Sequence, residues 1–150
     1  MDEAPDRLYG WGYAGHSVDD LVTFAQTRGV HAVVDVRLNP VSRKRGFSKR
    51  LLAAALEDAG LAYVHLPALG NPRDNRDGFA APGTAAGRAA HARYSAEVLD
   101  ADAGQDALRE LTAMMNRGPV AVLCYEADQV CCHRHLVIRA VAELVDPVLV

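Results

Sequence analysis

The sequence predicts an α/β fold: a mainly parallel β-sheet flanked by helices on both faces, a single three-layer domain over residues 1–150. Three observations predict it. Short apolar runs alternate four times with segments whose apolar residues recur at helical spacing, as in a strand–helix series with right-handed crossovers. Hydrophobic residues make up 50% of the chain, enough to cover a sheet on both faces. The polar residues with chemistry to offer fall at the C-terminal ends of the expected strands, where ligands sit in open parallel sheets.

The first strand is expected at 8–13, loosened by Gly10 and Gly12. Ser17, with Asp20 three residues on, starts a helix that carries Leu21, Val22, Phe24 and Ala25 and stops near Gly29. A second strand, 31–36, delivers Asp35 and Arg37 to its exit, and a loop punctuated by Pro40 and Gly46 fills 38–47. Ser48 is placed to cap a helix at 49–59, with Leu51, Leu52, Ala55 and Leu56 on one face and Gly60 as its stop. Residues 61–66 alternate as a third strand, ended by Pro67. From 68 to 87 the composition shifts to Gly, Pro, Asn, Asp and Arg, which predicts a long mobile loop and a candidate lid. Helices follow at 85–99 and 105–116, separated around Gly104. A buried strand at 120–123 and a helix over about 130–144 complete the chain.

Composition excludes several classes. A net charge of -3 and a pI near 6.0 argue against a dedicated basic nucleic-acid binder. The longest apolar runs fall short of the roughly 18–20 residues of a membrane span, and the acidic N-terminus lacks a signal peptide's apolar segment, so no membrane contact and a cytoplasmic location are expected. Three cysteines, two adjacent, do not make a secreted disulfide framework. The chain has no G-x-G-x-x-G, Walker loop or G-x-S-x-G, so the sequence names no cofactor.

The densest chemistry lies in 119–135. Cys124 leaves a central strand as a nucleophile would, or simply as a small core residue. Cys132 is the stronger nucleophile candidate if Asp128 caps the last helix. Cys131 and Cys132 then occupy its first turn, where the helix dipole, His133 and Arg134 favour a thiolate. Glu126 suits a general acid or base, or an ion pair with Arg134 or Arg37, and His133 is a second proton carrier. Asp35 and Arg37 share a face of their strand, so they either orient one another or leave Arg37 to hold an anion. His16 precedes a helix start that suits an anion, although Asp19 and Asp20 already occupy the positive end of that dipole, and Ser17 reads as a cap before a nucleophile. Neighbouring residues of a helix diverge, and C-x-x-C and H-E-x-x-H are missing, so no metal site is expected.

Between Val36 and Leu56 there is no acid, yet Arg37, Arg43, Lys44, Arg45, Lys49 and Arg50 all occur. That charge predicts attraction of a phosphate-bearing small molecule or nucleotide, with nucleic acid through segment 37–50 as the alternative; one aromatic residue there, Phe47, gives base stacking little support.

In order along the chain, Gly15-His16-Ser17, Asp35-Val36-Arg37 with Pro40, Ser42 and Phe47, Leu69-Gly70, and Leu123-Cys124-Tyr125-Glu126 through Cys132-His133-Arg134 resemble a bacterial and archaeal family of unknown function, DUF488. The resemblance covers nearly the whole chain and implies a compact α/β domain with no established activity. A proline often found between the glutamate and Cys-His-Arg is replaced by Ala127-Asp128-Gln129-Val130, and Cys131 is additional. The rhodanese Gly-x-Arg loop and the phosphatase Cys-x5-Arg loop are not reproduced after Cys124. The reading is an enzyme-like pocket for an anionic ligand, built from His16, Ser17, Asp35, Arg37 and Arg134 as binding groups and Cys124, Glu126, Cys132 and His133 as reactive ones.

Overall fold

The structure, a computed structural model, describes residues 7–126 and 132–145. Four strands, β1 (Leu8–Gly12), β2 (Ala32–Asp35), β3 (Ala62–His65) and β4 (Val120–Cys124), form one sheet in the order β1-β4-β2-β3. Every pairing is parallel, with β4 in register between β1 and β2 (Gly10 and Val34 both opposite Val122). The α/β class with helices on both faces follows directly.

Strand side chains alternate between two apolar clusters. Leu8, Ala32, Val34, Val120, Val122 and Cys124 face one side, against Tyr94, Leu108, Leu111, Val137 and Val141 of the later helices. Trp11, Val33, Ala121 and Leu123 face the other, against Leu21 and Ala25 of α1 (Val18–Thr27) and Leu52 and Leu56 of α2 (Lys49–Asp58). The central strands β2 and β4 are buried at every position; β4 reads as an unbroken apolar run, and β2 as one ended by Asp35.

The topology fixes where a site can form. The connections through α1 and α2 both step from β1 towards β3 on one face. The return from β3 to β4 runs through α4 (Ala85–Tyr94) and α5 (Asp102–Met115) on the opposite face, as right-handed crossovers require. The chain therefore leaves β2 for one face and β4, through α6 (Arg134–Val145), for the other. Between those two neighbours lies the switch point at which open α/β sheets bind ligands.

Four expectations change. Ser48 stands at the N-cap of α2 but does not cap it; its hydroxyl bonds Ser42, accepting from that residue's N–H and donating to its carbonyl, and so ties the 38–47 loop together. The expected loop at 68–87 holds two 3-10 turns, Pro67–Leu69 and Arg73–Asn75, and the short helix α3 (Arg76–Phe79), anchored by buried Asn71, Asn75 and Phe79. A π-type segment, Ser95–Leu99, continues α4, and the break falls after it. Gly104 lies within α5, where a Cβ would stand 1.9 Å from the Val98 carbonyl oxygen, so its role is close packing. Finally, α6 begins at Arg134, after Cys132 and His133; the proposed cap Asp128 and Cys131 lie outside the described residues.

Gly70 joins the segment after β3 to the one after β2. A Cβ there would sit 2.5 Å from the Leu38 Cα, so neither backbone could keep its position. Replacing Gly70 with Ala is expected to cost about 1–3 kcal/mol through overpacking, read as a lower urea midpoint at unchanged slope. An unshifted midpoint would show that the two segments are not in register here.

Candidate functional site

A cavity of about 330 Å³ opens between the exits of β2 and β4. The buried Cys124, Cys132 and His133 form its floor, and Tyr13, Arg37, Asn71, Arg76 and Phe79 line it as well. Segment 38–43 and Tyr125-Glu126 form the mouth, where Leu38, Val41 and Tyr125 are exposed.

The β2 side is built on Asp35. Its carboxylate is fully buried, a costly position unless every lone pair is used. It accepts from the Arg37 backbone N–H (3.1 Å), from Arg37 Nε and the NH2 group of Arg37 (2.8 and 2.7 Å), and from the Tyr63 hydroxyl (2.6 Å). The two residues thus form the mutual, bidentate pair that was one of the two sequence readings. Burial alone would pull Arg37 down, but the Asp35 hydrogen bonds and charge outweigh it and hold the guanidinium above its ordinary pKa. Burial, with the hydrogen bond to Asp35, holds the Tyr63 hydroxyl above its own range. The remaining terminal nitrogen of Arg37 donates to the Tyr13 hydroxyl at 3.3 Å, and the ring of Tyr13 stacks on Phe47 at 4.5 Å. Arg37 therefore reaches the cavity already paired, with only its uncommitted N–H groups to offer a ligand.

The β4 side carries the reactive groups. His133 Nε2 lies 2.8 Å from the Val36 carbonyl oxygen. A carbonyl can only accept, so Nε2 carries a proton, and in the neutral imidazole the lone pair is on Nδ1. That lone pair stands 3.8 Å from Cys124 Sγ and 3.7 Å from Cys132 Sγ. The two thiols are not equivalent. A hydrogen bond from Cys132 lowers the Cys124 thiol against the opposing effect of burial, with help from the Tyr125 backbone N–H and the charge of Arg134. Burial first, and that same hydrogen bond second, push Cys132 well above the ordinary thiol range. The sequence places Cys132 in the first turn of the last helix; here it stands two residues ahead of α6. Its carbonyl accepts from the His135 N–H in the first turn of α6.

Cys124, Glu126, Cys132, His133 and Arg37 all line the cavity. Asp35 lies beneath Arg37, outside the lining. Arg134 is buried behind the exit of β4, where its NH1 group donates to the backbone carbonyl of Glu126; its link to Glu126 is through the main chain. His16 and Ser17 are elsewhere, in a separate shallow cleft with Lys44 and Arg45. Ser17 forms a complete capping box with Asp20, and the His16 ring packs tilted against Trp11, centroids 5.1 Å apart, with Nδ1 3.6 Å from Asp20. The expected convergence of His16 with the cysteines therefore does not occur, because the turn after β1 folds towards α1.

Sequence reading missed Tyr13, Asn71, Arg76 and Phe79. Tyr13 and Asn71 follow strand ends and the C-terminal-edge rule could have found them. Arg76 and Phe79 occupy the 68–87 segment, where no periodicity shows which residues face inward. Asn71 accepts from Asn75 Nδ2 at 3.0 Å, so its own amide N–H groups are what it can offer the cavity.

The Asp35–Arg37 pair is expected to anchor this wall. Asp35→Asn should cost about 3–5 kcal/mol by stranding a buried guanidinium, and Tyr63→Phe about 1 kcal/mol, both read by urea unfolding. Equal costs would show that the ion pair carries no special share.

The family whose model matches, over residues 17–141, is described as a domain of unknown function, DUF488. No curated protein and no solved structure matches the chain. Among the described residues no helix is long and apolar enough to cross a membrane. Matched over most of its length, this α/β chain belongs to the DUF488 family.

Proposed function

We propose that the protein is a thiol-dependent enzyme acting on a small anionic, phosphate-bearing molecule held between the exits of β2 and β4. One observation carries the reading: His133, fixed by the Val36 carbonyl, turns an unprotonated nitrogen towards two cysteines at the floor of a cavity. That is the relation of a general base to a nucleophile. Cys124 is the nucleophile, since it is the thiol whose anion is favoured, and Cys132 is its hydrogen-bond donor.

In the covalent step the Cys124 proton passes to His133 Nδ1 while sulfur bonds to the electrophilic carbon or phosphorus of the ligand. The bond to the leaving group breaks, and the imidazolium returns the proton to that group. Water then attacks the thioester or thiophosphate and gives a proton to Nδ1. Sulfur leaves with its electron pair and recovers that proton, so the enzyme ends as it began. Glu126, which also lines the cavity, would take up the second proton, the one released as the hydrolysed acid ionises. Three arginines, Arg37, Arg43 and Arg76, line the cavity against one carboxylate, which supports an anionic ligand. The charge on Arg43, Lys44, Arg45, Lys49 and Arg50 also suits nucleic acid, but with Arg37 committed to Asp35 that reading rests on net charge alone.

Iodoacetamide at neutral pH, in the presence of a chelator, is expected to label Cys124 ahead of Cys132 in mass-mapped peptides. His133→Gln should slow that labelling about 10-fold or more. Inorganic phosphate should protect Cys124, and Arg43→Ala with Arg76→Ala should abolish the protection. Labelling of Cys124 no faster than that of Cys132, or unaffected by His133→Gln, would sink the nucleophilic reading.

A further inference from the structure

The same floor has a second property, independent of any covalent chemistry. Cys124 Sγ, Cys132 Sγ and His133 Nδ1 all lie within 4.8 Å of one another. A tetrahedral zinc ion, with Zn–S about 2.3 Å and Zn–N about 2.0–2.1 Å, separates a sulfur from a nitrogen ligand by about 3.6 Å. The two sulfur–nitrogen separations here are 3.8 and 3.7 Å. We propose that Cys124, Cys132 and His133 form a three-ligand site for one thiophilic d10 cation, such as Zn²⁺, whose fourth position faces the cavity.

The surroundings fit the chemistry. Metal-bound imidazoles donate their second N–H to a carbonyl or carboxylate, which fixes the tautomer and aims the lone pair. His133 already does so, to the Val36 carbonyl, with Nδ1 as the free donor. Two sulfurs and one imidazole select soft or borderline cations over Mg²⁺ or Ca²⁺. The three donors come from a strand end and from residues that precede a helix, so the divergence of neighbouring helical side chains does not apply. All three also line the cavity, which leaves one side of the trio towards a ligand or water, the pattern of metal sites with an exchangeable position. A bound cation would take the lone pairs that a nucleophile and a base need. Loading would therefore mask Cys124, and the thiol reading applies to the metal-free protein.

The test is a titration of the full chain, reduced and freed of metal with chelator, with Co²⁺ as a spectroscopic probe and then Zn²⁺. The site predicts one equivalent of Co²⁺ with a thiolate-to-cobalt charge-transfer band and tetrahedral visible bands, both discharged by one equivalent of Zn²⁺. Cys132→Ser and His133→Gln should each weaken binding about 10-fold or more. Zn²⁺ should also suppress iodoacetamide labelling of Cys124. Absence of a stoichiometric end point in the wild-type chain, or a charge-transfer band unchanged in Cys132→Ser, would overturn the site whatever the variants' stability. Because labelling with chelator present tests the nucleophile separately, either reading can fail without the other.

Discussion

Much of the site depends on one buried carboxylate. Asp35 ends β2 with no exposure to water, and four donors converge on it: two from the Arg37 side chain, one from the Arg37 backbone and one from Tyr63. A carboxylate so placed is tolerable only when its partners are held, and they in turn can take few other positions. The chain leaving β2 is therefore fixed in direction. The Arg37 carbonyl faces His65 Nε2 at 2.7 Å, and the Val36 N–H donates to the Leu123 carbonyl at 3.2 Å. The Val36 carbonyl, left free by that path, is the acceptor that orients His133. An ion pair on one face of the sheet thus sets the tautomer of an imidazole on the other.

This explains why the two faces meet where they do. Asp35, Tyr63 and the Tyr13–Phe47 stack lie on the side of α1 and α2, while Cys124, Cys132 and Tyr94 belong to the cluster under α4, α5 and α6. The cavity sits where β2 and β4 send their connections in opposite directions, so it draws lining residues from both sides. Gly70 brings the segment after β3 against Leu38, and Asn75 ties that segment to the Ala90 carbonyl in α4. The third wall is thus built from packed backbone and buried amides.

The legible parts of this arrangement are those with a local cause. β2 and β4 announce themselves because burial on both faces demands apolar runs, broken only by Asp35 at the exit of β2. The Ser17–Asp20 box is legible because capping is satisfied within one turn. The C-terminal-edge rule selects Arg37, Cys124 and Glu126, which line the cavity, since it follows from topology alone. It cannot tell that His16 turns away, because that outcome depends on a ring contact with Trp11 and on Asp20, both settled after the chain folds. Nor does it reach Arg76 or Phe79, whose place is set by contacts with α4 and not by any period in their own segment. Ser48 is a similar case: a hydroxyl at an N-cap has a local use, but the 38–47 loop offers it Ser42 instead.

His133 is where the chemistry is decided. A histidine free to rotate would present either nitrogen, and two nearby thiols would then mean little. Once Nε2–H is committed to a main-chain carbonyl, the lone pair has one direction, and that direction contains both sulfurs. Such a lone pair has two uses, to accept a proton or to hold a cation, and both sulfurs stand at nearly the same distance from it. The uses are exclusive at any instant, since one pair of electrons cannot serve both. Under the two proposals above, a cation held at Nδ1 would occupy the electrons that a general base needs, a coupling that requires no second site.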